Sequence, residues 1–133
     1  MPNLIHVDPN HLDAIWPYVV LELSRAVDTN KGEESLEQIR LKVRTGHYQL
    51  LIHMDDDVIQ TVVVAEFINF PNLRVAHVAY AAKSLTPEGV DAFKQWAKMH
   101  GASELQTFCG DAQARLFQRF GFAHTYHVMR VSL

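Results

Sequence analysis

Two polar residues, Glu66 and His77, stand in segments of the sequence that are otherwise rich in apolar side chains. Burial and nearby charge can bring the pKa of a carboxyl or an imidazole in such surroundings toward neutrality. A group tuned in this way can take a proton from an amine as a general base. We therefore predict that Glu66 and His77 are the bases if the protein is an enzyme. The alternative is that His77 is hydrogen-bonded within a sheet and that Glu66 faces solvent.

The eight histidines and the single cysteine do not form a metal-binding pattern. His124 and His127 lie in a segment with the character of a strand, where their rings would point to opposite faces. One thiolate cannot build a sulfur-rich site, so we predict no metal centre. Cys109 precedes a predicted helix, a position that can lower a thiol pKa. The alternative is that Cys109 is a small buried hydrophobe.

Length, charge and hydrophobicity limit the class of protein. A chain of 133 residues is long enough to bury a core and is predicted to form one domain over residues 1–133. The net charge of −3 argues against nucleic-acid binding, which needs a basic face. No apolar run reaches about 18 residues, so we predict no membrane span. With one cysteine and no recognisable secretory signal, we expect a cytoplasmic location.

The first third of the chain is predicted to contain one strand and two helices. A short apolar strand covers Leu4 to Val7, and a helix follows from Asp8-Pro9 to about Ala26. Pro17 falls inside this helix and is expected to kink or divide it, because proline lacks an N–H donor. Ser35 and Gln38 form a capping box that begins a second helix, which runs to Arg44.

From Tyr48 onward the apolar pattern changes to that of strands. Three runs rich in β-branched and aromatic residues, Tyr48 to Met54, Val58 to Phe70 and Leu73 to Ala81, are separated by short turns. Short connections predict an antiparallel meander. Thr86 then begins a helix that ends at Gly101, and Leu105 to Cys109 is the next strand.

The stretch from Gly110 to Phe122 is predicted to be a short helix with a defined beginning and end. Asp111 is the expected cap, and Gly121 stands where a left-handed residue would end the helix. A closing strand is predicted from Phe122 to Val131. The complete order is β-α-α-β-β-β-α-β-α-β, which indicates an α/β (α+β) fold with a mixed, mostly antiparallel sheet flanked by helices.

This stretch, with Leu116-Phe117-x-x-Phe120-Gly121-Phe122, resembles the closing motif of the GNAT superfamily of acetyl-CoA-dependent N-acyltransferases. The order of predicted elements is also similar to the GNAT fold over the whole chain. The resemblance implies that acetyl-CoA enters between the fourth and fifth strands. It also implies that the central helix holds the pyrophosphate on its first backbone N–H groups, since a helix N-terminus attracts anions.

Carried onto this sequence, the resemblance names a set of candidate residues for acetyl-CoA. A backbone N–H between Tyr80 and Ala82 would polarise the acetyl carbonyl. The phosphate cradle would come from four residues, Lys83, Ser84, Gly89 and Val90. The family usually has a tyrosine as general acid directly after the leucine of the closing helix, where this chain has Phe117. The phenols that remain for this role are Tyr126 and Tyr80.

Two functions remain open at this point. One is a divergent GNAT-like acyltransferase, whose acceptor would be a small-molecule or protein amine. The other is a non-catalytic GNAT-fold binding or structural protein that has lost the acyl-CoA site, as in assembly subunits that include viral structural proteins. Pro87, which donates no N–H, and the carboxylates of Glu88 and Asp91 favour the second function. Its partner would be another copy of the chain or an assembly partner.

Overall fold

A computed structural model describes residues 2–133, with side-chain burial described from Leu4 onward. The chain contains five strands, four α-helices and a short 3₁₀ turn at Pro9–His11. The strands and helices, in chain order, are β1 (Pro2–His6), α1 (Leu12–Val27), α2 (Leu36–Arg44), β2 (Gln49–Asp55), β3 (Val58–Phe70), β4 (Leu73–Lys83), α3 (Pro87–Met99), β5 (Glu104–Thr107) and α4 (Asp111–Arg119).

The five strands form one sheet in the order β1-β2-β3-β4-β5. The first four pair antiparallel, as predicted for the meander, and β5 lies parallel to β4. A parallel pair needs a crossover, and α3 supplies it between β4 and β5. The predicted fold class, a mixed and mostly antiparallel sheet flanked by helices, is confirmed.

The helices cover the two faces of the sheet. Leu12, Val19 and Leu23 of α1 pack with Ile39 and Val43 of α2 against one face, which we call the α1–α2 face. Phe93 of α3 packs against the other face with residues of β2, β3 and β4. We call it the α3–α4 face, because α4 lies beside α3 and the carbonyl of Phe120 accepts a hydrogen bond from Lys94 at 2.7 Å.

Local sequence signals explain most of the helix boundaries. The Ser35–Gln38 capping box is present, with the Ser35 hydroxyl accepting from the Gln38 N–H and the Gln38 side chain accepting from the Ser35 N–H. Pro17 was predicted to kink or divide the first helix, and it does not divide it, since α1 is continuous through Pro17. Pro17 is exposed, so the carbonyl that loses its partner one turn earlier faces water.

The end of the chain differs from the prediction in two respects. Gly110, not Asp111, occupies the N-cap of α4, and its N–H donates to the Gln113 side chain. Gly121 does end the helix in the left-handed region, with φ of 92°. The closing strand predicted from Phe122 to Val131 is not formed, since residues 120–133 carry no strand, and residues 123–133 are exposed.

Without strand geometry, the rings of His124 and His127 are not on opposite faces but lie 4.6 Å apart. Within residues 2–133, no three metal-ligating side chains cluster around a point that could hold an ion. Over the same residues, none of the helices has both the length and the apolar character that crossing a bilayer requires.

Candidate functional site

The candidate site begins where β4 separates from β5. The β4–β5 ladder pairs Val75–Val78 with Glu104–Thr107 and stops there, whereas β4 continues to Lys83. Tyr80 pairs with Val64 and Val78 pairs with Ala65 of β3, so Ala79 is an extra residue that forms a β-bulge. A bulge bends its strand and redirects side chains. On the side away from β3, residues 79–83 of β4 therefore form an open strand edge, with which no other described strand pairs.

The bulge also breaks the alternation of side chains along β4. Ala79 and Tyr80 both pack on the α1–α2 face, whereas Val78 and Ala81 both pack on the α3–α4 face. Simple alternation along β4 would place Ala81 on the same face as His77. In the structure the bulge places Ala81 on the opposite, α3–α4 face. The sequence carries no local signal for the bulge, since the extra residue is an alanine among other small apolar residues.

An apolar cleft lies beside this open edge on the α3–α4 face. Its walls come from β4, β5, the first turns of α3 and the helix α4. Two buried polar side chains, His53 and Thr61, also line it. The apolar residues that line it are Leu4, Val63, Val78, Ala81, Leu85, Val90, Phe93, Leu105, Phe117 and Phe122. Phe117 and Phe122 make an edge-to-face contact at 5.1 Å and form the α4 side of the cleft.

The N-terminus of α3 is largely closed to an anion. The Thr86 hydroxyl accepts from the Gly89 N–H at 3.0 Å, and the Thr86 carbonyl accepts from the Val90 N–H at 2.9 Å. Pro87 has no N–H to offer. Only the N–H of Glu88 remains open in the first turn, and it stands beside a carboxylate.

Gly89 has a structural explanation that the sequence did not reveal. A Cβ at this position would lie 2.8 Å from Nδ1 of His53 and 3.1 Å from Oγ1 of Thr86. His53 is only 3% exposed, and both of its ring nitrogens lack a partner among the described residues. The missing side chain of Gly89 therefore lets the helix lie directly on the His53 ring. A phosphate is not needed to explain this glycine.

Lys83 and Ser84, two further cradle candidates, are held against β3. The Lys83 ammonium donates to the carbonyl of Ile59 at 2.9 Å, and Lys83 adopts a left-handed backbone with φ of 71°. The Ser84 N–H donates to the Gln60 carbonyl at 2.9 Å, and the Ser84 carbonyl accepts from the Thr61 hydroxyl. These bonds fix the turn between β4 and α3 and direct the Lys83 charge toward the backbone of β3.

Glu66 and His77 face each other across the β3–β4 ladder, on the α1–α2 face. Glu66 lies 3.2 Å from Nε2 of His47. Nδ1 of His77 lies 3.1 Å from the Gln106 amide nitrogen, which can only donate, so Nδ1 is the acceptor and the proton of the neutral ring is on Nε2. Burial lowers the pKa of His77, against the smaller opposing effect of the Glu66 charge.

A second polar group on the same face is centred on Glu34, which no pattern in the sequence had singled out. One carboxylate oxygen accepts from Tyr48 at 2.5 Å and from Tyr80 at 3.0 Å, and the other lies 2.5 Å from the Lys42 ammonium. Burial alone would raise the pKa of Glu34, but the hydrogen bonds from Lys42 and the two phenols outweigh it and lower the pKa. No spacing rule links Glu34 to Tyr80, which is 46 residues away.

The phenols proposed as acids are in different surroundings. Burial raises the pKa of Tyr80 to about 12, and the Glu34 carboxylate contributes in the same direction. Tyr126 lies in the terminal extended chain and is 84% exposed. None of the hydrogen bonds and ring contacts described for residues 2–133 joins Tyr126 to Glu66, His77 or Tyr80. The thiol of Cys109 is exposed, and partial burial together with Asp111 raises its pKa, contrary to the lowering considered from its position.

Comparison of the whole fold with solved structures gives clear neighbours. A ribosomal-protein-alanine N-acetyltransferase from Brucella melitensis superimposes with a TM-score of 0.73 at 10% identity, covering 100% of this chain and 99% of its own. An aminoglycoside acetyltransferase from an uncultured soil sample, in complex with sisomicin, gives 0.72 at 8% identity, covering 99% and 95%. A predicted acetyltransferase with acetyl-CoA from Clostridium acetobutylicum gives 0.65 at 14% identity, covering 99% and 96%.

No protein-family profile matches the sequence, and no curated protein matches it. The three neighbours named above are described as acetyltransferases, and here the antiparallel strands β2 to β4, the crossover helix α3 and the parallel strand β5 follow in the order that the resemblance implied. The chain therefore has the fold of the GNAT N-acetyltransferases.

Proposed function

We propose that the protein transfers the acyl group of an acyl-CoA to an amine. The observation that carries this proposal is the open edge of β4 beyond Val78, which adjoins an apolar cleft. A pantetheine arm is an extended chain with two amides, so it can pair with a strand edge as a peptide does. The neighbour from Clostridium acetobutylicum, which has the same fold, contains acetyl-CoA.

Bound acyl-CoA would supply a thioester, an activated acyl group. Of the backbone N–H groups from Tyr80 to Ala82, only those that point away from β3 are open on the β5 side, since successive N–H groups of a strand alternate between its two edges. Such an N–H can donate to the thioester carbonyl and stabilise the negative charge that develops there. Because these donors belong to a strand that is paired with β3 on its other edge, they are held in place before the substrate binds.

The amine would approach from the α1–α2 face, where Glu66 and His77 lie. The lone pair of Nδ1 in His77 is already used by Gln106, whereas one carboxylate oxygen of Glu66 has no hydrogen bond or ion pair within the described residues. We therefore assign Glu66 as the group that takes the proton from the amine, directly or through water, and His77 as the second candidate. The proton for the departing thiolate would come from Tyr80 or Tyr126.

The residues at the start of α3 fit the phosphates of CoA poorly. Glu88 supplies the open N–H, and Gly89 and Val90 have their N–H groups bound to Thr86. The carboxylates of Glu88 and Asp91 would repel a pyrophosphate. We expect the pantetheine arm to provide most of the binding free energy in this protein, and the phosphates little.

The same closed helix start is the observation that favours a second function. A GNAT-fold protein that binds a partner without catalysis has no need for a phosphate cradle, and here Thr86 fills that position with its own capping bonds. Under this second proposal the apolar cleft is part of the core, and its width has no role in binding.

Calorimetric titration with acetyl-CoA separates the two functions. The acyltransferase proposal predicts saturable binding at micromolar to millimolar concentration, and nearly equal binding of acetyl-pantetheine, which lacks the phosphates. Ala81→Trp should abolish both, because Ala81 lines the cleft. Ala14→Trp, an exposed position on α1, should change neither. Absence of binding at millimolar acetyl-CoA would leave the non-catalytic function as the better account.

If acetyl-CoA binds, release of free CoA thiol in the presence of small amines and peptide amines tests the assignment of the base. Glu66→Gln should lower the turnover rate by roughly 10²-fold or more while binding of acetyl-CoA stays unchanged. His77→Gln is expected to have a smaller effect. Equal rates in both variants and in the original protein would remove both residues from the mechanism.

A further inference from the structure

A lysine side chain of the protein itself occupies an ammonium-binding position on the α1–α2 face. The Lys42 ammonium lies 2.5 Å from Oε2 of Glu34 and 4.9 Å from the centre of the Tyr48 ring, over its face. A carboxylate and the face of an aromatic ring both attract an alkylammonium ion. We call Glu34 and Tyr48 together the cation cradle. Lys42 shows that this cradle accepts an ammonium at the end of an aliphatic chain.

The cation cradle is held in place, but the lysine in it is not enclosed. The other oxygen of Glu34 accepts hydrogen bonds from the phenols of Tyr48 at 2.5 Å and Tyr80 at 3.0 Å. Burial would raise the pKa of Glu34, but its hydrogen bonds outweigh this effect and keep the carboxylate ionised at neutral pH. The side chain of Lys42 is 40% exposed and lines an open pocket with Glu33. A small cation from solvent can therefore compete with the Lys42 ammonium.

The cation cradle is linked to Glu66, the proposed base, through two adjacent residues. His47 contacts Glu66 at 3.2 Å and precedes Tyr48 in the chain, and the His47 and Tyr48 rings lie 5.6 Å apart. Tyr48 in turn donates to Glu34. The acceptor side of the candidate site therefore offers two carboxylates, one for the reacting amine and one for a second positive charge.

The fixed charges of this region leave it negative. Three carboxylates, those of Glu33, Glu34 and Glu66, are contacted by two permanent cations, Lys42 and Arg130. With the histidines neutral, an excess negative charge remains for a substrate to balance. Complementary charge favours a dication over a monocation and repels an anion.

We propose that the acceptor is an aliphatic diamine or polyamine, whose reacting amine lies at Glu66 and whose second ammonium displaces Lys42 from the cation cradle. This assignment rests on the proposed acyl transfer and names its substrate class. The reacting amine gives its proton to Glu66 and forms the new C–N bond, the C–S bond of the thioester breaks, and the departing thiolate takes up a proton. The second ammonium stays charged throughout. Glu34 thus determines specificity and takes no part in the bond changes.

Acetyl transfer to matched amines tests the substrate class. Butylamine and diaminobutane have the same aliphatic chain and differ by one ammonium group. We expect kcat/KM for diaminobutane to exceed that for butylamine by roughly tenfold or more, mainly through a lower KM. Ethylenediamine, diaminohexane and spermidine then define the preferred separation of the two charges.

Variants that change the preference in opposite directions separate recognition from a general loss of folding. Glu34→Gln should bring the ratio of the two kcat/KM values close to one, because it removes the charge of the cation cradle. Lys42→Met should increase the ratio, because it removes the competing ammonium. Glu37→Gln, at an exposed position of α2, is the matched control and should keep the original ratio.

Binding measured without turnover keeps the two proposals distinguishable. In the absence of acetyl-CoA, diaminobutane should shift the amide signals of Glu34 and Tyr48 saturably, and butylamine should do so much less. If acetyl-CoA binds and both amines are acetylated with equal kcat/KM, the dication assignment is overturned and the acyltransferase stands. A preference for diaminobutane that Glu34→Gln leaves unchanged also overturns it. Absence of acetyl-CoA binding overturns both proposals.

Discussion

Residues 2–102 and residues 103–133 are built in different ways. The first region contains all the described buried side chains, organised as two apolar layers on the two faces of the sheet. The second supplies a four-residue strand, a nine-residue helix and an extended segment, none of which buries a residue fully. Folding free energy is therefore concentrated in the first region, and the second is the part whose surfaces are available for binding.

The candidate site lies where the two regions meet. β4 belongs to the buried region, β5 to the exposed one, and the two strands pair over only four residues before the bulge at Ala79. An edge that is rigid on the β3 side and free on the β5 side can hold an extended ligand without an energetic cost for ordering the strand. The difference between the regions thus creates the opening that the proposed function requires.

The largest expected effect is on the stability of the buried region. Leu50 is completely buried in the layer under α1 and α2, so Leu50→Ala should lower the free energy of unfolding by about 2–5 kcal/mol. Leu116→Ala, in half-buried α4, should lower it by less than about 1 kcal/mol. Urea unfolding of both variants measures the difference. Similar losses of unfolding free energy in the two variants would show that the folding free energy is not concentrated in residues 2–102.

Gly89→Ala tests the contact between α3 and the His53 ring. The new Cβ would lie 2.8 Å from Nδ1 of His53, so we expect a loss of about 1–3 kcal/mol in unfolding free energy. In a His53→Ala background the same change should cost much less, and the double-mutant cycle gives the coupling.

Gly110→Ala is the control in the exposed region, since the added Cβ would lie 3.9 Å from the Gln113 side chain, an ordinary van der Waals distance. It should cost little. Equal costs for Gly89→Ala with and without His53 would show that His53 is not the reason for this glycine.

Phe117→Tyr tests the exposed region by its chemistry, because the change adds a hydroxyl group without altering the packing. Phe117 lines the cleft at the position where the family usually has its acidic phenol. If the protein is an acyltransferase, the added hydroxyl should raise the turnover rate by roughly tenfold. Unfolding by urea should be nearly unchanged. A faster rate in Phe117→Leu as well would point to cleft shape, not to proton transfer.

The smallest expected effect is a pH dependence that comes from Glu34. Its pKa in the folded state is below the ordinary value of 4.5. The ionised carboxylate therefore stabilises the fold above that pH, and this contribution is lost as the pH falls through the folded pKa. In Glu34→Gln the urea midpoint should fall less steeply on acidification. Glu104→Gln, at an exposed position in β5, should keep the original slope.

Much of the fold could be predicted from the sequence because it depends on local signals. The Ser35–Gln38 capping box, the Thr86 cap and the β-branched and aromatic run from Val58 to Phe70 all correspond to elements of the structure. The closing strand could not be predicted, since strand propensity in residues 122–131 does not supply a pairing partner. Tertiary context decides whether such a segment becomes a strand.

The site was less predictable, for physical reasons. Glu66 and His77 were named as polar residues in apolar strands, and the structure places them opposite each other, but their roles remain proposals. The bulge at Ala79, the Glu34 cluster and the contact of His53 with Gly89 depend on distances between residues far apart in the chain. No periodicity or motif within one segment reports such contacts.

Amide chemical-shift mapping during an acetyl-CoA titration tests the central claim most directly, because it shows both whether the ligand binds and where. We expect the largest shifts at residues 79–83 of β4, with smaller shifts around Phe117 and little change at the N-terminus of α3. Shifts confined to other surfaces, or no shifts at millimolar acetyl-CoA, would contradict the claim that the open edge of β4 is an acyl-CoA site.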